Sequence, residues 1–128
     1  MKKFLAVTAL FLIFISVTFA QDDGPFAVLE YFENPDEIFI TSAEGDDFVP
    51  DYGMELYPGD RIETFDTVAE IRLDPNGSLI KIGHNTEFVI DTLQDLEGAE
   101  ANSFSLLSGK LKMVAARSGS EKYQVQTL

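Results

Sequence analysis

The chain has 128 residues, with 22 acidic side chains against 9 basic ones, a formal net charge of −13 and no cysteine. Nucleic acid and anionic lipid are poor partners for such a charge. The missing thiols exclude a disulfide framework, a thiolate metal site and a lipid-bearing cysteine, so the fold must rest on apolar burial alone.

The chain opens with "MKKFLAVTALFLIFISVTFAQDD": two lysines, an uncharged apolar run from Phe4 to Phe19, and Ala20 ahead of acidic residues. That is the layout of an export signal, with Thr18 and Ala20 before the cleavage point and the mature protein starting at Gln21. An uncleaved anchor is the alternative. Sixteen apolar residues make about 24 Å of helix, short of the roughly 30 Å hydrocarbon core, which favours cleavage. Residues 1–20 therefore read as a signal helix and residues 21–128 as one domain. With Lys2 and Lys3 removed, the mature chain carries 7 basic and 22 acidic residues, net −15. The charge is uneven. Gln21 to Asp60 holds 12 acidic residues and no Lys or Arg, whereas Ala101 to Leu128 holds Lys110, Lys112, Arg117 and Lys122 against Glu121. Such asymmetry steers cationic partners or metals, and it also arises on a merely solvated face.

After Ala20 the helical spacing of apolar residues finds little to match, and period-two alternation recurs in almost every segment. "AVLEYF" and "EIFIT" read as strands separated by Glu33-Asn34-Pro35-Asp36, a turn cluster. In "GMELYPGDRIETFD", Leu56 precedes a corner at Pro58-Gly59-Asp60 and Ile62 resumes the apolar face, with Asp60 as a ligand residue being the minor alternative. "AEIRLDPNGSLIKI" is the clearest hairpin. Ala69, Ile71 and Leu73 share a face with Ile80 and Ile82, and Asp74-Pro75-Asn76-Gly77 reverses the chain, with Gly77 at positive φ and Ser78 an ordinary strand position tolerant of branching. "EFVID" follows with Phe88 and Ile90 on one face, and "TLQDLEGAEAN" reads as a polar loop. "SFSLLSGKLKMVAA" places Phe104 and Leu106 before a Ser108-Gly109 corner, and Leu111 and Met113 after it. The final "KYQVQTL" begins one more strand, with Tyr123, Val125 and Thr127 on one side. Stopping inside a strand leaves an edge that invites pairing with another chain, and Lys110, Lys112 and Lys122 can blunt it. Eight or so strands without intervening helices predict an all-β domain of short antiparallel strands, wound as a roll, a short β-solenoid or a sandwich.

The order of these corners resembles the FecR domain family. The residues that carry the resemblance are Gly53, Leu56, Gly59-Asp60, Ile62 and Thr64, then Ile71 and Leu73, Asp74 to Gly77, Asn85-Thr86, and Leu107-Ser108-Gly109 with Leu111. The match is best from Gly53 to Thr127, with Ala27 to Asp51 a looser version of the family's leading strands. The resemblance implies an extracytoplasmic all-β domain without catalysis, which in the best-known members relays the state of an outer-membrane siderophore transducer to a sigma factor. Here only Met1-Lys2-Lys3 precedes the apolar run, so no segment is expected to hold a sigma factor, and the sequence stops where the family pattern would continue into another strand.

Candidate chemistry is sparse. The one histidine, His84, lies between Gly83 and Asn85 in a turn, which does not supply the base of a hydrolytic triad. "EGDDFVPDYG" offers Glu44, Asp46, Asp47 and Asp51 as hard oxygens but lacks a calcium-loop register. Asn76-Gly77-Ser78 fits a glycosylation triplet that the hairpin already explains. No catalytic, cofactor-binding or metal set emerges. The expectation is a non-enzymatic binding or scaffold module of the bacterial envelope, periplasmic or extracellular, with a protein or glycan partner, and with membrane contact only if the N-terminal segment stays attached. The alternative is a small glycan hydrolase using paired carboxylates.

Overall fold

Alternation becomes burial most plainly in the central hairpin, β6 (Ala69–Leu73) and β7 (Ser78–Ile82). Ala69, Ile71 and Leu73 face Ile82, Ile80 and Ser78 across the ladder, all buried, while Glu70 and Lys81 pair on the outer face at 3.6 Å. Burying a side chain such as Ile71 contributes about 1.5–3 kcal/mol. The reversal is closed by the Gly77 N–H donating to the Leu73 carbonyl at 2.8 Å, with Gly77 at φ +80° as expected. Ser78 differs from expectation. It is fully buried, and its hydroxyl lies 2.6 Å from the Tyr123 hydroxyl, so this strand position is polar for a reason.

The computed structural model describes residues 27–74, 77–94, 96, 98–115 and 121–127, so the expected signal segment and the Pro75-Asn76 pair lie outside the described residues. The remaining strands are β1 (Ala27–Phe32), β2 (Ile38–Thr41), β3 (Asp47–Phe48), β4 (Met54–Leu56), β5 (Arg61–Thr64), β8 (Thr86–Thr92), β9 (Asn102–Ser108), β10 (Leu111–Val114) and β11 (Tyr123–Thr127). They form two sheets, ordered β10-β7-β6-β1-β4 and β11-β9-β8-β5-β2-β3. Both sheets feed one core, with Leu29, Ile71 and Ile80 from the first and Ile40, Ile62, Phe88 and Phe104 from the second. The described chain is all-β, as its alternation predicted, and does not close into a barrel. Among the described residues no helix is long and apolar enough to cross a membrane.

Two features depart from the simple pattern. The ladder between β1 and β6 shifts register between Leu29 and Tyr31, a bulge that lets Leu29 and Phe32, three apart, both reach the core while Glu30 stays outside. And the strands are not all antiparallel, because β11 runs parallel to β9, with Tyr123 opposite Asn102 and Thr127 opposite Leu106. The stretch from Thr92 to Asn102 links β8 to β9 as the polar loop expected, yet Leu93 is buried, and the Asn102 side-chain oxygen Oδ1 holds the loop by accepting the Gln94 N–H at 2.9 Å.

Candidate functional site

The corner at Pro58-Gly59-Asp60 carries the chain from β4 in one sheet to β5 in the other. The Asp60 N–H donates to the Tyr57 carbonyl at 3.0 Å, and Gly59 sits at φ +92°, as a turn with proline at its second position and glycine at its third requires. An added Cβ at Gly59 would meet the Ala43 Cβ at 2.5 Å, so only glycine fits the approach. The Asp60 carboxylate, 5% exposed, turns back to accept the Tyr57 N–H at 2.8 Å. Its backbone joins the neighbouring strand, the Ile90 N–H donating to the Asp60 carbonyl at 3.0 Å and the Gly59 N–H to the Ile90 carbonyl at 2.7 Å. Burial raises the Asp60 carboxyl above its ordinary value, and the charge of Glu44 adds to this, while the Tyr57 N–H lowers it. Asp60 is thus a buried acid committed to a corner.

Beside that corner lies an open groove of about 350 Å³, walled by Glu44, Phe48 of β3, Met54 and Glu55 of β4, Tyr57 and Pro58, with Asp60 contributing to its lining. The Tyr57 hydroxyl donates to the Glu55 carboxylate. Phe48, Val49, Tyr52 and Tyr57 are all more than 40% exposed, an unusual density of large apolar side chains in the most acidic part of the chain. Aromatic faces edged by carboxylates suit a sugar ring or a cationic, apolar-flanked peptide. Tyr52 is held in place by stacking on Phe32, with centroids 4.3 Å apart, and by donating its hydroxyl to the Phe32 carbonyl at 2.8 Å.

No family model, curated protein or solved structure matches the chain. The site must therefore be read from its own residues.

A second cavity of about 450 Å³ opens where β6, β7 and β10 adjoin, bordered by Val68, Glu70, Lys81, Gly83, Lys110 and Lys112. Its rim is basic where the first groove is acidic. The other residues of interest are scattered. Glu44, Asp46, Asp47 and Asp51 do not converge, and among the described residues no group of three or more His, Cys, Asp or Glu could hold a metal ion. Asp46 and Asp47 serve local structure: the Asp46 N–H donates to the Ser42 hydroxyl at 3.1 Å, and the Thr41 hydroxyl donates to the Asp47 carboxylate at 3.3 Å. His84 is exposed in its turn, and its carbonyl, not its ring, is used, lying 3.0 Å from the Thr86 hydroxyl.

Thr64, Thr86 and the Ser108-Gly109 corner meet in space. The Thr64 hydroxyl donates to the Gly83 carbonyl at 2.6 Å and accepts the Thr86 N–H at 3.1 Å. The Thr86 hydroxyl lies 3.2 Å from the Lys110 carbonyl and accepts the Lys110 N–H at 3.0 Å, pinning the Ser108-Gly109 corner against the start of β8. Asn85 takes the left-handed conformation at φ +51°, which asparagine tolerates. The spacing of these motifs in sequence gave no sign that Thr64, Thr86 and Gly109 touch. Phe48 and Tyr57 belong to no sequence motif, and the signal that points to them is the spacing of aromatics through an acidic block.

Proposed function

We propose that this protein is a non-enzymatic, FecR-like binding or scaffold module working outside the bacterial cytoplasm, its two sheets being the wound strands of that family's roll. The observation that carries the reading is how the polar residues are employed. Thr64, Thr86 and Asp60 commit their side chains to corners, and the groove beside them offers aromatic faces edged by exposed carboxylates. Such a surface suits recognition of a partner. Export follows from the apolar run before Gln21, and the partner is a protein or glycan of the envelope.

The test is to present the full exported chain with peptidoglycan fragments and envelope polysaccharides, and to measure binding and release of reducing ends together. Expected is binding that Tyr57→Ala weakens at least several-fold, with no hydrolysis. One observation favours a carboxylate hydrolase instead, the raised pKa of Asp60 with Glu44 acting on it. Hydrolysis abolished by Asp60→Asn would replace the present reading with that one.

A further inference from the structure

The two sheets end on the same sides. At one side β3 and β4 are the outer strands, and Phe48 of the first lines a common groove with Met54 and Glu55 of the second. At the other side β10 and β11 are outermost, and the 2.6 Å contact between the Tyr123 and Ser78 hydroxyls ties β11 to β7, the strand that pairs with β10. Each outer strand has a ladder partner on one side only among the described residues.

These two sides are complementary in charge, pattern and direction. The β3–β4 side belongs to the block from Gln21 to Asp60 that has no Lys or Arg, and it carries Glu44, Asp47 and Glu55. The β10 side carries Lys110 and Lys112, neither of which has an ion-pair partner among the described residues. Along β4, Leu56 is buried and Met54 packs against the core while Glu55 is exposed; along β10, Leu111 and Met113 pack against the core while Lys112 is exposed. Strands so patterned continue one another's inner and outer faces when laid side by side. Four antiparallel steps separate β4 from β10, so the two run the same way. One parallel and four antiparallel steps separate β3 from β11, with the same result. A copy placed alongside, and rotated to continue the twist of the sheets, would thus meet its neighbour through parallel pairs in both sheets, a pairing the fold already contains between β9 and β11.

We propose that the acidic β3–β4 side of one copy docks on the basic β10–β11 side of the next, building open head-to-tail chains. This deepens the scaffold reading above by naming a second copy of this protein as the partner. The contact is heterologous, so nothing in it closes the assembly at two. Edge strands offer the backbone pairing, and the Glu55–Lys112 apposition sets which edge accepts which. At an ionic strength of about 0.15 M the Debye length is about 8 Å, so the net charge of the chain is screened across its width while charges in contact still act.

Sedimentation velocity of the full exported chain at that ionic strength, over a concentration series, tests the proposal. Expected is an average mass that rises with concentration past twice that of one copy. Glu55→Lys and Lys112→Glu should each raise the concentration needed for association on the order of tenfold or more. An equimolar mixture of the two variants should restore it, because each supplies the charge that the other lacks, and restoration shows that both are folded. A wild-type monomer at every concentration, a mass fixed at two copies, or single variants that associate like the wild type would overturn the proposal. A monomer that still binds glycan through Tyr57 would leave the binding-module reading standing, whereas hydrolysis would remove that reading whatever the mass.

Discussion

Gly77 and Gly109 are both corner glycines at positive φ, +80° and +91°, and replacing each with alanine should have unequal consequences. A Cβ at Gly77 meets nothing within 4 Å, so Gly77→Ala bears only the cost of a left-handed conformation, about 1–2 kcal/mol. At Gly109 the same atom would stand 2.5 Å from the Thr86 Cα and 2.7 Å from the Asn85 carbonyl oxygen. Both are backbone atoms and cannot rotate aside. Moving them strains the Lys110 N–H to Thr86 hydroxyl bond at 3.0 Å and the Thr86 N–H to Thr64 hydroxyl bond at 3.1 Å. Overpacking adds roughly 1–3 kcal/mol, and each weakened bond up to about 1 kcal/mol more. Gly109→Ala should therefore cost about 2–7 kcal/mol, a large share of the roughly 5–15 kcal/mol that holds a domain together. Urea denaturation followed by far-ultraviolet circular dichroism measures both variants. Equal losses, within about 0.5 kcal/mol, would refute the claim that the Thr86 contact, and not φ alone, makes glycine necessary at position 109.

Ile71→Ala, in the middle of the β6–β7 ladder, should cost about 2–5 kcal/mol by the same assay, with Lys81→Ala on the outer face within about 0.5 kcal/mol of wild type; a small loss at Ile71 would mean its burial contributes little. Ser78→Val should destabilise in spite of its strand position because it removes the hydroxyl contact with Tyr123 and adds bulk at a buried site, and a double-mutant cycle with Tyr123→Phe should show a coupling above about 0.5 kcal/mol between the two positions. For Asp60, a folded-state pKa raised above the ordinary 3.8 means that the folded protein binds the proton more tightly than the unfolded chain. Its favourable share is complete below that ordinary value and is lost as pH rises through the raised one, so Asp60→Asn should gain on wild type as pH rises from the ordinary value through the raised one; the opposite slope would mean the Tyr57 N–H outweighs burial. Intact-mass measurement of the exported protein should give a chain beginning at Gln21, and a retained Met1 would make the segment an anchor.

What the sequence made legible follows from how many residues repeat a signal. Ala69, Ile71, Leu73, Ile80 and Ile82 repeat one period with a turn at a defined place, so their burial and register could be read directly. In β1 a single bulge at Glu30 breaks that period, and the step from Leu29 to Phe32 then looks irregular, although both side chains are in the core. The direction of β11 was hidden for a different reason. Side chains alternate alike in parallel and antiparallel strands, so nothing in Tyr123, Val125 and Thr127 distinguishes a ladder with β9 in one sense from the other. The groove was hidden too, since β3 is two exposed residues and has no apolar face from which to predict it. Even Asp60 carried an ambiguous message. A Pro-Gly-Asp turn predicts a corner, and the corner is there, but only the path of the chain tells that its carboxylate is buried beneath a groove instead of facing water.

The division of labour between corners and edges bears on what such a protein can do. Thr64, Thr86 and Asp60 lie at or beside corners, and they are occupied there: Thr64 with Gly83, Thr86 with Lys110, Asp60 with Tyr57. Changing them damages the fold before it touches recognition. The strands at the margins are constrained on their inner faces only. β3 and β4 together contain five residues, and β10 four, and of these Met54, Leu56, Leu111 and Met113 serve the core. Their exposed positions hold Asp47, Glu55 and Lys112; Asp47 and Glu55 accept the Thr41 and Tyr57 hydroxyls, and none of the three reaches the core that Ile71 and Phe88 build. A fold specified by its corners can thus keep one architecture while the charges at its margins change, and it is at those margins, acidic beside β3 and β4 and basic along β10, that the choice of partner is open to such change.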